Sequence, residues 1–398
     1  MNEEVNEILE IFETKKISII FGGAGFIGSA LTKKLLADES SKVIVIDKDK
    51  EALSKLEDNA NLITKEINLN DSLDSLDFLN EYYEEENGQN VTLYLFASSL
   101  GPEKVSKENN IPDYLLNFNM YHYLTRIIIS KKLKFKRIIF SSTSEVYGNQ
   151  ENMDENSDVL IDLKSEGHRP QYALQKLTAE NLLLNLGKDL HQEVIITRLF
   201  NIVGKGQKEG FIISNFNKIF KQNLDNIKSN ISVLNNNPEC IEDILKNNGI
   251  NKFKIYGNGT QSRVFTSIED TVEIYSKLST YIESSSIPPE DKIINNIINI
   301  ACIKNNITVM KLVQKYLDFY KSIFENILED PVNDFNESQL QYIKQLINDV
   351  KAKEPFYEKI DNGNIGQLKR SPTVFKLYKV LNYKPVKNLN NIIRESLF

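Results

Sequence analysis

Ile17-Ser18-Ile19-Ile20-Phe21-Gly22-Gly23-Ala24-Gly25-Phe26-Ile27-Gly28 is the stretch that decides the fold. Its first five residues form a short, largely apolar run suited to a buried parallel strand. A helical pattern follows from about Ser29 to Ala37. The glycines at 22, 25 and 28 therefore stand between a strand and a helix, the setting in which such a turn cradles a dinucleotide. Gly22 permits the tight turn, Gly25 lets backbone N–H groups approach a pyrophosphate, and Gly28 allows close packing of the helix. Phe26 and Ile27 complete the turn, and the helix N-terminus favours phosphate charge.

The next strand, Lys42 to Ile46, ends on Asp47, about 20 residues after Gly28, where an acid holds the adenosine ribose hydroxyls. A carboxylate there repels a 2′-phosphate, so the expected cofactor is NAD rather than NADP. Further strands are expected at Val91 to Phe96, Arg137 to Phe140, Val194 to Thr197 and Ile297 to Ile300, with helices such as Asn119 to Lys131 and Tyr172 to Leu186 between them. This alternation implies an α/β fold, a doubly wound parallel sheet covered on both faces. With 398 residues the chain is long for one core. The expected plan is a helical extension over residues 1–15 and a dinucleotide-binding domain over 16–200, to which segments near 260–302 return. A smaller, discontinuous C-terminal substrate domain covers 201–258 and 303–398. Residues 307–346 read as mainly helical. Residues 223–251, rich in Asn, Lys and Ile without clear periodicity, read as a surface insertion.

A net charge of -7 excludes a general nucleic-acid binder, which needs clustered cations. No apolar run is long enough to span a membrane, and the start carries no signal-peptide pattern. Cys240 and Cys302 lie too far apart for a disulfide framework or a zinc site, and His122, His168 and His191 lack metal-ligand spacing. The expectation is a cytoplasmic protein without a metal.

Two segments carry chemistry. Ser141-Ser142-Thr143-Ser144-Glu145-Val146-Tyr147-Gly148 follows a strand, and Arg169-Pro170-Gln171-Tyr172-Ala173-Leu174-Gln175-Lys176 opens a helix. Tyr172 and Lys176 are four apart and share a helical face. An ammonium nearby is expected to lower the tyrosine pKa, making Tyr172 a usable base near neutral pH, with Thr143 holding the hydroxyl to be oxidised.

With these segments in order, the chain resembles the extended short-chain dehydrogenases: nucleotide-sugar epimerases, 4,6-dehydratases and uronate decarboxylases. Arg198-Leu199-Phe200-Asn201-Ile202-Val203-Gly204 is similar to the family's R-x-F-N-x-x-G. Tyr256-Gly257-Asn258-Gly259-Thr260-Gln261-Ser262-Arg263-Val264-Phe265 is similar to its Y-G-D-G-x-Q-x-R-x-F. Arg370-Ser371-Pro372-Thr373 resembles a segment near the end of uronate decarboxylases.

The resemblance implies a Rossmann domain in which Tyr172 and Lys176 also touch NAD. It implies that Asn201, Arg263 and Arg370 contact a nucleotide-diphosphate sugar, and that helices around 119–131 and 172–186 pair in a homodimer. Asn68, beside Leu69, stands where the family often has an adenine-contacting Asp. Leu95-Phe96-Ala97-Ser98 replaces the usual H-L-A-A, and Lys205 a frequent proline.

The implied reaction begins with oxidation of the sugar at carbon 4. Glu145 points to further chemistry at carbon 5, as in decarboxylases or 4,6-dehydratases, with Arg370 favouring decarboxylation. A 4-epimerase, which needs no such glutamate, is the alternative. A non-catalytic NAD-binding sensor is the alternative of another class.

Overall fold

The computed structural model describes residues 16–69, 79, 90–98, 111–148, 150–159, 161, 169–330, 332–353, 356–360 and 369–397. The helix expected over residues 1–15 lies outside them. The chain divides into two compact units: residues 1–206, 265–303 and 371–387 form the first, and residues 207–264, 304–370 and 388–398 the second.

The first unit is built on strands β1 (Lys16–Phe21), β2 (Ser41–Asp47), β3 (Leu62–Glu66), β4 (Val91–Leu95), β5 (Arg137–Thr143), β6 (Val194–Leu199) and β7 (Asn296–Ile300). They form one sheet in the order β7-β6-β5-β4-β1-β2-β3, and every pair is parallel. β-branched and aromatic residues dominate these runs, and Ile19, Ile44, Leu93 and Ile138 are wholly buried. Each such side chain contributes roughly 1.5–3 kcal/mol on leaving water. β3 escaped the sequence reading because it is an edge strand whose Thr64 and Glu66 are exposed.

Helices α1 (Phe26–Leu36), α2 (Ile111–Ser130), α3 (Arg169–Leu190) and α4 (Ile268–Thr280) complete this unit. Lys34 of α1 pairs with Glu273 of α4 at 2.7 Å, and Asn117 of α2 donates to Gln175 of α3 at 2.9 Å. The chain order reverses between β1 and β4, so the carboxyl ends of these strands frame the crevice where α/β sheets bind ligands.

The boundaries differ from expectation. The segment returning to the first unit begins at Phe265, and residues 371–387 return as well. Ser371–Pro372 pairs with Asn152–Met153, and the Asp270 carboxylate accepts bonds from Tyr383 Oη and the Val386 and Lys387 N–H groups.

In the second unit the stretch read as aperiodic is helical through much of its length. The helix Ile212–Asn236 buries Ile213, Phe216, Phe220, Ile227 and Leu234. Asparagines on or beside that stripe disguised it. Asn217 accepts from Tyr316 Oη, while Asn223 and Asn230 donate to the hydroxyls of Tyr320 and Tyr342. Polar letters thus serve an apolar face by satisfying buried phenols. The expected helical region consists of Val309–Glu329 and Glu337–Ala352; the second opens with a capping box from Asn336 and Gln339.

Candidate active site

The glycine turn leaves β1 with Gly22 at φ +78°, and a Cβ there would lie 2.6 Å from the Ala97 nitrogen. Gly25 is the N-cap of α1 and exposed. A Cβ on Gly28 would come within 2.3 Å of the Gly22 carbonyl oxygen, so this glycine admits the helix against the turn itself. Phe26 and Ile27 form the first turn of α1, whose N–H groups have no partner within the helix. Asp47, at the end of β2, accepts the Ala24 N–H at 3.1 Å. Asn68 follows β3 and is half-buried, whereas the Leu69 side chain is packed in the core and leaves only its main chain for a ligand. A glycine cradle with no room for side chains, an open helix N-terminus and an acid at the second strand end fit NAD.

Thr143 ends β5 and caps a 3₁₀ turn, Ser144–Tyr147, by accepting the Glu145 N–H at 3.3 Å. Tyr172 and Lys176 lie on α3. A hydrogen bond joins the Tyr172 and Thr143 side chains, so the structure brings together the residues expected to act on the sugar. The tyrosine pKa contradicts the expectation. Burial, then the nearby Glu145 charge, push the phenol up to about 12, and the Thr143 bond only partly opposes them. Lys176 Nζ instead donates to the Ser141 carbonyl at 2.8 Å and to Tyr121 Oη at 3.3 Å. Burial pulls its pKa down to about 7, against the opposing charge of Glu180.

Behind Thr143 lies a buried network that the sequence reading did not find. Arg198 donates to both Glu180 oxygens, at 3.1 and 2.7 Å, and Ser142 Oγ bonds the same carboxylate. The Arg198 and Glu180 side chains are 3% and 2% exposed, so removing either would strand a buried charge. The guanidinium sits 4.6 Å from the centre of the Tyr147 ring, and Tyr147 Oη donates to Asn299 at 2.8 Å. Glu155 accepts the Asn299 N–H at 2.9 Å, and burial raises its pKa to about 7. β5, β6 and β7 are thereby tied together beneath the site. The one sequence signal was Glu180, a helical turn after Lys176.

Asn201, just past β6, has φ +34° and accepts the Thr266 N–H through its carbonyl at 3.1 Å. In the second unit Arg263 lies on Ser262–Val264, which pairs antiparallel with Asn306–Thr308. The Asn306 side chain donates to the carbonyl of the buried Arg370 at 3.1 Å. Both expected arginines thus neighbour one short ribbon. The side chain of Arg169 lies outside the described residues.

The dTDP-D-glucose 4,6-dehydratase of Dictyostelium discoideum is 30% identical over 308 residues, which cover 70% of this chain and 61% of that protein. The UDP-N-acetyl-alpha-D-glucosaminuronate decarboxylase of Bacillus cytotoxicus is 31% identical over 263 residues, 65% of this chain and 70% of that one. The chain thus spans less than two thirds of the first of these relatives. The fold matches the crystal structure of UDP-glucuronic acid 4-epimerase from Bacillus cereus, in complex with UDP-glucuronic acid and NAD, with a TM-score of 0.63. That match is 19% identical in sequence and covers 96% of this chain and 98% of the other. Residues 18–301 match the sequence model of one family, and on that match this chain belongs to the NAD dependent epimerase/dehydratase family.

Proposed function

We propose that the chain is an NAD-dependent enzyme that modifies a nucleotide-diphosphate sugar through a transient 4-keto intermediate, of the uronate decarboxylase or 4,6-dehydratase type. The observation that carries this reading is the meeting of three side chains: Tyr172 is bonded to Thr143 and lies within the field of the Glu145 carboxylate. Exchange at carbon 4 needs only a base and a residue to hold the hydroxyl. The carboxylate is the additional group that chemistry at carbon 5 requires. A dehydratase and a decarboxylase are among the relatives at 30% identity or better.

Bound NAD supplies the hydride acceptor and a cationic nicotinamide. Thr143 holds the carbon-4 hydroxyl while Tyr172 removes its proton. The Lys176 ammonium, one helical turn away, is assigned with the nicotinamide charge to stabilise the phenolate, against the burial that raises the phenol in the free protein. Glu145 acts at carbon 5, where a ketone at carbon 4 acidifies the proton and labilises a carboxylate. Asn201, Arg263 and Arg370 are assigned to the nucleotide diphosphate or the sugar, with Arg370 matched to a sugar carboxylate. We assign the chain to the cytoplasm and to a homodimer formed through α2 and α3.

Mass spectrometry after incubation with NAD and, separately, UDP-glucuronic acid, dTDP-glucose and other UDP, GDP and CDP sugars tests this reading. Loss of carbon dioxide or of water supports it. Conversion without a mass change makes the enzyme a 4-epimerase, and NAD binding without conversion of any sugar makes the chain a sensor.

A further inference from the structure

Lys176 is held in part from α2, an element that the sequence reading did not connect to the chemistry. Tyr121 is buried there, and its hydroxyl donates to the Ala97 carbonyl at 2.7 Å. Lys176 Nζ donates to the same hydroxyl oxygen at 3.3 Å. A phenol has one proton; with that proton committed to Ala97, its oxygen presents lone pairs to the ammonium. The Ser141 carbonyl takes a second ammonium N–H at 2.8 Å. The remaining surroundings are aromatic, with Nζ 4.8 Å from the centre of the Phe140 ring and 5.7 Å from that of Tyr121. Those two rings meet edge to face at 5.1 Å. Two oxygens and the Phe140 ring replace the water that a buried ammonium has given up.

Glu180, one turn along α3, favours the charged lysine, but burial dominates and holds the group at about 7. Arg198 binds Glu180 from β6, and Glu145, Tyr147, Tyr172 and Tyr275 are further titratable groups near this end of β5. A group balanced near neutrality changes charge when a single acceptor is lost. Ala97, the anchor of the Tyr121 hydroxyl, is also the residue on which Gly22 closes. One hydroxyl therefore links the lysine to the backbone that supports the dinucleotide turn.

We propose that Tyr121 is a positioning residue of this site, whose hydroxyl, anchored on the Ala97 carbonyl, fixes Lys176 Nζ and keeps it charged. The proposal rests on the assignment of Tyr172 and Lys176 as the catalytic pair.

Tyr121→Phe keeps the ring against Phe140 and removes only the oxygen. Trace acetylation with acetic anhydride across a pH series, quantified by peptide mass spectrometry, titrates Lys176 in the intact protein without substrate. A hydrogen bond to a charged group is worth about tenfold or more, so the Lys176 midpoint should fall by about one pH unit. The limb of the kcat–pH profile near pH 7, measured with NAD and whichever sugar of the panel is converted, should move the same way. kcat at neutral pH should drop about tenfold. An unmoved midpoint and an unmoved limb near pH 7 overturn the proposal even if kcat falls, because a merely structural tyrosine would lower the rate at every pH. Lys176→Met separates the two readings: wild-type turnover in that variant defeats the catalytic pair, whereas the acetylation midpoint still decides what Tyr121 does. Tyr121→Met is the second hydroxyl-free variant if the phenylalanine does not fold.

Discussion

The Asp47 carboxylate accepts the Ala24 N–H at 3.1 Å, tying the acid at the end of β2 to the middle of the glycine turn. Its other oxygen accepts the Asp49 N–H, also at 3.1 Å. The carboxylate is thus fixed from both sides before any ribose arrives. NAD should bind far better than NADP, since a 2′-phosphate meets a negative charge that cannot swing away. Asp47→Asn should weaken NAD about tenfold and narrow the gap between the cofactors. Calorimetry giving equal affinities for the wild type would defeat this assignment.

Tyr172→Phe should lower turnover by about 100- to 10,000-fold while leaving the NAD dissociation constant nearly unchanged. The phenol sits at about 12 and must lose a proton to act, so the wild-type rate should rise with pH along its acid limb. A variant with most of its rate intact would place proton removal elsewhere.

Glu145→Gln should separate the two halves of the proposed reaction. If the carboxylate serves carbon 5, the variant still oxidises carbon 4 and accumulates bound NADH, seen by absorbance, without releasing product. Near-normal turnover would remove the reason for placing dehydration or decarboxylation above epimerisation.

Glu155 makes stability depend on pH. Its folded pKa of about 7 exceeds the ordinary carboxylate value of 4.5, burial being the largest cause, so the folded state holds a proton that the unfolded state gives up. The contribution is complete below about pH 4.5 and is lost as pH rises through about 7, a loss of about 3 kcal/mol. Glu155→Gln keeps an acceptor for the Asn299 N–H and should melt at a higher temperature than the wild type at pH 8. Melting curves that fail to converge toward pH 4.5 would rule this out.

The proposed dimer should appear in sedimentation at micromolar concentration. Leu124, Ile127, Ile128 and Leu183 of α2 and α3 are buried within the first unit. Phe118 and Ile129 of α2 remain, 39% and 52% exposed. Ile129→Glu should shift the equilibrium toward monomer. A wild-type monomer at that concentration would refute the assembly.

Features written in neighbouring residues were legible without coordinates. The glycine turn, the acid after the second strand and the Tyr172–Lys176 spacing are each written in one short run, and they lie between β1 and α1, at the end of β2 and on α3. What needed the fold was contact across elements. Arg198 reaches Glu180 only because β6 lies beside β5, and Tyr121 reaches Lys176 only because α2 packs along α3. The tyrosine pKa was misjudged for the same reason, since burial and the Glu145 charge are tertiary effects. Ile212–Asn236 was hidden by asparagines whose tyrosine partners lie about 100 residues away.

The clamp on residues 371–387 sets an order of events during synthesis. Asp270 and the Asn152–Met153 strand receive their partners only after residues 304–370 of the second unit have been translated. A nascent chain ending at Ile303 has every strand of the large sheet and lacks this closing segment. On the ribosome the NAD unit therefore cannot finish before its neighbour begins, and its last contacts form when synthesis is almost over.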